Sequence, residues 1–99
     1  MTYEGHDYGN FEKVGRLCYR FPENNEQTNT VPGALILYQG WNLCIYYDTN
    51  SWDLTRIGKL DNMTQTDIKT WVNAGGDRQI VNVVIPCKAL WHRLDIKEL

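Results

Sequence analysis

The sequence has little of the residue patterns that assign a function directly. It contains only two histidines and three cysteines, and no pair of cysteines has the C-x-x-C spacing of zinc and redox motifs. Its formal net charge is -2, and lysine and arginine are scattered along the chain rather than clustered. No apolar run approaches the ~20 residues of a membrane-spanning helix. We therefore expect no metal or other cofactor, no nucleic-acid partner and no membrane segment.

The N-terminus and the cysteines favour a reducing compartment. Residues 1–4 lack the basic and apolar regions of a signal peptide. Cys18, Cys44 and Cys87 cannot all pair within one chain, and two of them lie in apolar, strand-like segments. Cysteines without metal-ligand or catalytic spacing are most often buried thiols. We expect buried, reduced thiols and a cytoplasmic protein.

The composition predicts one globular domain that spans residues 1–99. A chain of 99 residues, of which 42% are hydrophobic and 12% aromatic, can bury one modest core. Residues 1–10 are polar and contain two glycines, so we expect a flexible entry segment. Alternating apolar and polar side chains over residues 17–21 predict a strand. The polar stretch 23–30 predicts a loop.

Two apolar runs in the middle of the chain predict an antiparallel hairpin. The runs cover residues 34–38 and 43–47, and Gln39-Gly40-Trp41-Asn42 separates them. Glycine and asparagine in a short connection between two strand-length runs are typical of a hairpin turn. Both runs are apolar on successive residues, which indicates that both faces of the hairpin are covered. A further strand is predicted over residues 52–60.

One short helix is predicted over about residues 65–74. Thr64 and Asp67 have the spacing of a capping box, in which each side chain bonds to the other residue's backbone N–H. Paired glycines follow the helix and would end it. The side chains predicted to form one apolar stripe against the sheet are Ile68, Trp71 and Val72.

The C-terminal part of the chain predicts at least one more strand. Every second residue from Val81 to Cys87 is apolar and would lie on one face, which is the period of a strand that ends near Pro86. Residues 88–99 fit either a strand or a helix. We favour a strand because Leu90, His92, Leu94 and Ile96 would share one strand face.

Three segments share an order and spacing that point to a known fold. They are residues 8–15 (YGNFEKVG), 32–38 (PGALILY) and 50–59 (NSWDLTRIGK). Together they resemble a bacterial family of small cyclophilin-like domains. The resemblance implies a mainly β fold, a small cyclophilin-like β-barrel that is closed or nearly closed, with one or two short helices. It implies a shape rather than a reaction.

The sequence departs from this family in two places. Family members usually begin with a further strand–helix stretch, which has no counterpart before Tyr8, so the resemblance implies an exposed sheet edge. We expect that edge to be covered by the C-terminal residues, by a second copy or by a different partner. Members also tend to carry an acidic residue where this sequence has Ala34. The segment Gly75-Gly76-Asp77 is only a superficial match to prolyl isomerases, because Ala74 replaces their glutamine.

Five residues are candidates for a binding site. If the strand that contains Trp52 and Arg56 pairs with the second hairpin strand, the guanidinium would lie among aromatic rings such as Tyr46. Glu12 could join Arg56 in the barrel mouth. Trp41 stands at the hairpin tip, where local packing does not bury it, and tryptophan is enriched at interaction hot spots. Alternatively, the aromatic rings pack the core and Arg56 caps one end of the barrel.

These features favour a non-catalytic module that binds another protein or a second copy of itself. A catalytic thiol needs a nearby base, and only Cys87 and His92 are a cysteine and a histidine within a few residues of each other. Nothing in the sequence requires these two side chains to meet in space, so we predict no catalytic residues. One alternative is an inhibitor from a phage or mobile element that masks a host protein. A second is a small hydrolase or isomerase that uses Arg56 with Glu12. A third is a small-ligand binder, although the bulky central aromatics predict a filled interior.

Overall fold

The computed structural model describes residues 1–82, which form seven strands and one helix. All seven strands lie in one antiparallel sheet in the order β3-β6-β4-β5-β2-β1-β7. The mainly β fold with one short helix is therefore confirmed. Within these residues no helix is long and apolar enough to cross a membrane. The elements are β1 (Thr2–Tyr8), β2 (Glu12–Arg16), β3 (Glu26–Thr30), β4 (Ala34–Tyr38), β5 (Asn42–Tyr46), β6 (Asn50–Lys59), α1 (Gln65–Trp71) and β7 (Arg78–Asn82).

The predicted central hairpin is confirmed. β4 and β5 pair in antiparallel register, with Leu35 opposite Ile45 and Tyr38 opposite Asn42. At its tip the backbone of Gln39 and Gly40 is left-handed, with φ of 56° and 75°. This conformation matches the twist of the flanking strands, which explains the choice of a glycine in the turn.

The N-terminal part of the chain differs from the prediction. Residues 1–10 are not a flexible entry segment, because β1 pairs with β2 on one side and with β7 on the other. The predicted strand over residues 17–21 is absent, and the strand lies earlier, at β2. Leu17 and Phe21 instead donate their N–H groups to the carbonyls of the hairpin tip. These backbone hydrogen bonds to the hairpin turn replace strand pairing over residues 17–21.

The predicted loop over residues 23–30 is also wrong in its second half, which forms β3. This strand pairs only with the first half of β6, and four of its five side chains are exposed or half-buried. A polar edge strand needs no apolar alternation, because one partner strand supplies its backbone hydrogen bonds. Because the segment is polar, the sequence pattern predicted a loop where the chain forms β3. The predicted strands after residue 82 lie outside the described part of the chain.

The sheet separates two apolar layers because successive side chains of a strand point to opposite faces. One face packs against α1, through Ile68 of the helix and Val72 at its C-cap. The buried strand residues of this face are Tyr3, Leu37, Leu43 and Ile45, and Tyr47 follows directly after β5. The buried residues of the opposite face are Ala34, Ile36, Cys44, Tyr46 and Leu54.

The helix begins where the sequence predicts and ends earlier. The Thr64 hydroxyl accepts the Asp67 N–H at 3.1 Å, and the Asp67 carboxylate accepts the Thr64 N–H at 3.0 Å, which confirms the capping box. The helix ends at Trp71 rather than near residue 74. Trp71 is exposed, so the predicted apolar stripe is wrong for that residue. A helix of only two turns covers the sheet with Ile68 and with the C-cap residue Val72, one turn further on.

Lys13 is completely buried on the helix side of the sheet. Its ammonium Nζ lies 2.8 Å from Asp7 Oδ1 in β1. The same nitrogen donates to the carbonyl oxygens of Asn73 at 3.0 Å and Asp77 at 2.7 Å, in the connection after α1. One buried cation therefore joins β1, β2 and the chain between α1 and β7.

The Asp7 carboxylate completes this connection. It accepts the Tyr47 hydroxyl at 2.9 Å and the backbone N–H groups of Gly75 and Asp77 at 3.0 and 2.8 Å. Burial alone would raise the pKa of Asp7, but the hydrogen bonds from Lys13, Tyr47 and Asp77 together hold it below its usual value. The pair therefore stabilises the fold above about pH 4, and this stabilisation is lost as the pH falls through the lowered pKa.

Lys13→Ala should destabilise the protein strongly. The substitution leaves a buried carboxylate without its cation and two carbonyls without a donor, so we expect the free energy of unfolding at pH 7 to fall by about 3–5 kcal/mol. Urea denaturation measures the change. Lys59→Ala, at an exposed position of β6, is the control and should change it by less than about 0.5 kcal/mol. A loss below about 1 kcal/mol for Lys13→Ala would show that the ion pair contributes little.

Gly15→Ala should destabilise the packing between β1 and β2. A Cβ at Gly15 would overlap the Tyr3 ring and lie 2.6 Å from the Glu4 carbonyl oxygen. That ring cannot move freely, because its hydroxyl donates to the Leu43 carbonyl at 2.6 Å. We expect unfolding to become easier by about 1–3 kcal/mol in urea denaturation.

Gly58→Ala is the matched control for this substitution. A Cβ there meets only Leu35 Cδ1, at 3.4 Å, which is an ordinary contact. Its effect should stay within about 1 kcal/mol of zero and could be stabilising. Equal effects at Gly15 and Gly58 would mean that crowding against Tyr3 is not the cause.

Candidate functional site

A cavity of about 430 Å³ lies on the face of the sheet opposite α1. This size falls within the range of about 300–1,000 Å³ that is typical of ligand pockets. Alternate residues of β2, β4, β5 and β6 line it, because every second side chain of these strands points to this face. The lining residues are Tyr8, Phe11, Glu12, Val14, Ile36, Tyr38, Asn42, Cys44, Tyr46, Asn50, Trp52 and Leu54.

The cavity has a buried base and an aromatic rim. Glu12, Ile36, Cys44, Tyr46 and Leu54 are buried at the base. Phe11 stacks on Tyr46, with ring centroids 5.7 Å apart. The rim consists of three largely exposed aromatic side chains, Tyr8 (67% exposed), Trp52 (66%) and Tyr38 (45%).

Among residues 1–82, Glu12 is the one charged side chain of the lining, and it is only 7% exposed. The register of β2 and β5 places it opposite Tyr46, with Val14 opposite Cys44. Burial raises the pKa of Glu12, while hydrogen bonds with Tyr46 and Cys44 partly oppose the rise. The carboxyl group therefore takes up a proton more readily than an exposed glutamate.

The described part of the chain places no compensating positive charge at the base of the cavity. No lysine, arginine or histidine of residues 1–82 lines it. Within residues 1–82 Glu12 makes no salt bridge. In the same part of the chain, no three His, Cys, Asp or Glu side chains come together in the manner of a metal site. A buried carboxylate without a cation is costly when ionised, which agrees with the raised pKa.

Of the five predicted site residues, three meet at this cavity and two do not. Glu12, Tyr46 and Trp52 line it. Arg56 is exposed, and its Nε lies 3.5 Å from the Gly58 carbonyl oxygen. Its predicted position depended on pairing between β6 and β5, which is wrong. Both edges of β5 are occupied, by β4 and β2, so β6 pairs with β4 and β3 instead.

Trp41 lies at the hairpin tip, as its position in the sequence predicts, and is 37% exposed. The guanidinium carbon of Arg16 stands 4.7 Å from the centroid of its ring, which is a cation–π contact. This contact covers one face of the indole without a partner molecule. Trp41 does not line the cavity.

Tyr8, Tyr38, Cys44 and Asn50 belong to the cavity lining, although the sequence did not single them out. Alternation within each strand indicates which residues share a face. It does not show which residues of neighbouring strands lie side by side, because that depends on the register between the strands. The cavity also contradicts the prediction of a filled interior. The hairpin aromatics divide between the two faces, with Tyr46 at the cavity and Tyr47 on the helix side, so they do not fill one space.

The cysteines only partly match the prediction of buried, reduced thiols. Cys44 is buried and free. Burial and the adjacent Glu12 raise its pKa well above that of an ordinary thiol, so it is not a ready nucleophile. Cys18 is exposed and disulfide-bonded, which corrects the prediction at that position. Cys87 lies outside the described residues.

Comparison with known proteins agrees with this architecture. The sequence model of the cyclophilin-like family matches residues 1–83, most of the chain. This confirms the resemblance that the three segments indicated. No curated protein and no solved structure matches the chain. A family match supports the fold, whereas the role of the cavity must be argued from its own residues.

Glu12→Gln should change how stability depends on pH. Because the pKa of Glu12 is raised on folding, the wild-type free energy of unfolding should fall as the pH rises from about 4.3 through the raised pKa. The glutamine side chain does not ionise, so the variant should gain stability relative to wild type over this range. Urea denaturation at several pH values between about 4 and 8 measures the difference.

Glu26→Gln, at an exposed position of β3, is the matched control. Its stability should follow the wild-type curve at a constant offset. If Glu12→Gln also runs parallel to wild type, the carboxyl group is not destabilised by its burial.

Proposed function

We propose that this chain, which belongs to the cyclophilin-like family, is a non-catalytic protein-binding module whose cavity receives a side chain of its partner. The observation that carries the proposal is the aromatic rim around a cavity with a buried base. Tyr8 and Trp52 each expose about two thirds of their surface there. The partner would be another polypeptide or a second copy of this chain.

The rim supplies the energy for such an interface. Burying apolar surface contributes roughly 25 cal/mol for each Å² removed from water, and aromatic side chains bury up to ~250 Å² each. Tyrosine and tryptophan are enriched at binding hot spots for this reason. Three exposed rings around one depression therefore favour an interface over an ordinary solvated surface.

The openness of the site favours a partner protein over a free small molecule. Small-ligand pockets usually enclose about 70–90% of the ligand surface. Here only the base is enclosed, because the rim residues Tyr8, Tyr38 and Trp52 remain substantially exposed. A side chain that enters the cavity from a partner surface would be covered from above by that surface. The rim would then lie inside the interface.

The lining provides no catalytic pair. From the described residues, Glu12 has no second carboxylate, histidine, lysine or arginine beside it in the cavity. The Cys44 thiol has a raised pKa, which suits packing rather than nucleophilic attack. Arg56, on which a hydrolase or isomerase would depend, does not line the site. An inhibitor that masks a host protein would use the same rim and differs from this proposal only in its partner.

Trp52→Ala should weaken partner binding without unfolding the protein. We expect at least about tenfold less partner retained, because a hot-spot tryptophan contributes ~2 kcal/mol or more. The measurement is quantitative recovery of the partner on tagged protein from lysate of the native host, followed by the affinity of the purified pair. Trp52 is 66% exposed, so its removal should leave the urea midpoint nearly unchanged.

Trp41→Ala is the matched control, since it removes the same ring from a surface outside the cavity. It should retain the partner at the wild-type level. Loss of binding only in Trp41→Ala would place the interface at the hairpin tip and overturn the proposal. If the recovered partner is a second copy, sedimentation should show a dimer that Trp52→Ala dissociates.

A further inference from the structure

Two carboxyl groups that are removed from water to different degrees, half-buried Asp7 and buried Glu12, have different surroundings in this fold. Asp7, on the helix side, has its own cation, Lys13, and donors from Tyr47 and two backbone N–H groups. Glu12, on the opposite face, is about as deeply buried as any polar side chain there and has no cation among residues 1–82. It opens instead into the cavity. The cavity therefore gives a positive charge access to this carboxyl group.

We propose that the cavity binds an organic ammonium group, with Glu12 as its counter-charge and the rings of Tyr8, Tyr46 and Trp52 as its walls. This inference rests on the proposed function and specifies the group that the cavity receives. The group would come either from a lysine or methylated lysine side chain of a partner protein or from a free alkylammonium compound. Both sources present the same chemistry to the site.

The aromatic lining favours a cation over a neutral apolar group. The face of an aromatic ring carries negative electrostatic potential, and rings arranged around a depression recognise quaternary ammonium groups. Phe11 and Tyr46 already stack with ring centroids 5.7 Å apart, which fixes part of the wall. Two further rings, Tyr8 and Trp52, line the cavity and are largely exposed, so a bound cation can contact them.

The charge of the site also excludes the opposite ligand class. An anion would meet Glu12 and find no lysine, arginine or histidine in the lining. An ammonium group would instead favour the ionised form of Glu12. The groups that face this carboxyl are Cys44 and Tyr46 of β5, both of which have raised pKa values and remain neutral. Among residues 1–82, no positive charge beside Glu12 therefore competes with the ligand.

A matched pair of probes tests this chemistry. Choline carries a trimethylammonium group, and 3,3-dimethylbutan-1-ol is its uncharged analogue of the same shape. Each is titrated at neutral pH into 15N-labelled full-length protein, and amide shifts are followed by NMR. We expect choline to shift amides of Glu12, Tyr46 and Trp52 and to bind at least about tenfold more tightly than the alcohol.

Two variants assign the effect to the proposed groups. Glu12→Gln should weaken choline at least about tenfold and leave the alcohol unchanged. Asp53→Asn, which removes an exposed charge next to Trp52 but outside the lining, is the control and should keep wild-type choline affinity. Trp52→Leu keeps an apolar side chain but removes the ring, so it should weaken choline several-fold even if Glu12→Gln does not fold.

A third probe separates the two sources of the cation. The amide of Nα-acetyl-Nε-trimethyllysine should bind more tightly than choline if the group comes from a partner side chain, because its backbone also contacts the rim. Tighter binding of choline would point to a free compound. Equal binding of choline and its alcohol analogue would overturn the inference and leave the cavity a binding site of another kind. Absence of any shift in the lining would also overturn it, while the comparison of Trp52→Ala with Trp41→Ala would still decide the proposed function.

Discussion

The buried contact between Lys13 and Asp7 determines how the parts of this small fold fit together. An ammonium group removed from water costs several kcal/mol unless it is fully paired, so Lys13 can be buried only with all its partners in place. Those partners belong to β1 and to the connection between α1 and β7. The same contact therefore positions the end of the helix on the sheet and the start of β7 beside β1. Because α1 buries only Ile68 within the helix and Val72 at its C-cap, it depends on this anchor.

The anchor on one face also explains the character of the other. Lys13 and Glu12 are consecutive residues of β2, so they point to opposite faces of the sheet. Lys13 contacts a carboxylate and two carbonyl groups on the side that the helix covers. Glu12 contacts two neutral polar groups, Tyr46 and Cys44, and lines the open cavity. β2 thus carries a paired charge, Lys13, on the helix side of the sheet. On the cavity side it carries Glu12, to which a ligand can supply the cation.

The sequence predicts those elements whose signals are local. The central hairpin and the capping box of α1 depend on residues within a few positions of each other, and both are confirmed. β1 and β3 were not predicted, because each has at least one partner strand that is distant in the chain. β1 forms a local hairpin with β2, but its other edge pairs with β7, about 75 residues away, and β3 pairs with β6. Polar strands stabilised by distant partners carry little alternation of their own, so local pattern cannot reveal them.

The candidate site shows the same limit more sharply. Glu12, Tyr46 and Trp52 could be named from the sequence, but only the strand order separates them from Arg56, which was expected beside them. Register matters even more than order. A shift of one residue between β2 and β5 would turn Lys13 towards the cavity and Glu12 towards the helix. The cavity would then be basic and the core would bury an unmatched acid opposite Asp7. The chemistry of the site thus depends on whether Glu12 or Lys13 faces Tyr46. The ion pair with Asp7 holds Lys13 on the helix side, so Glu12 faces the cavity.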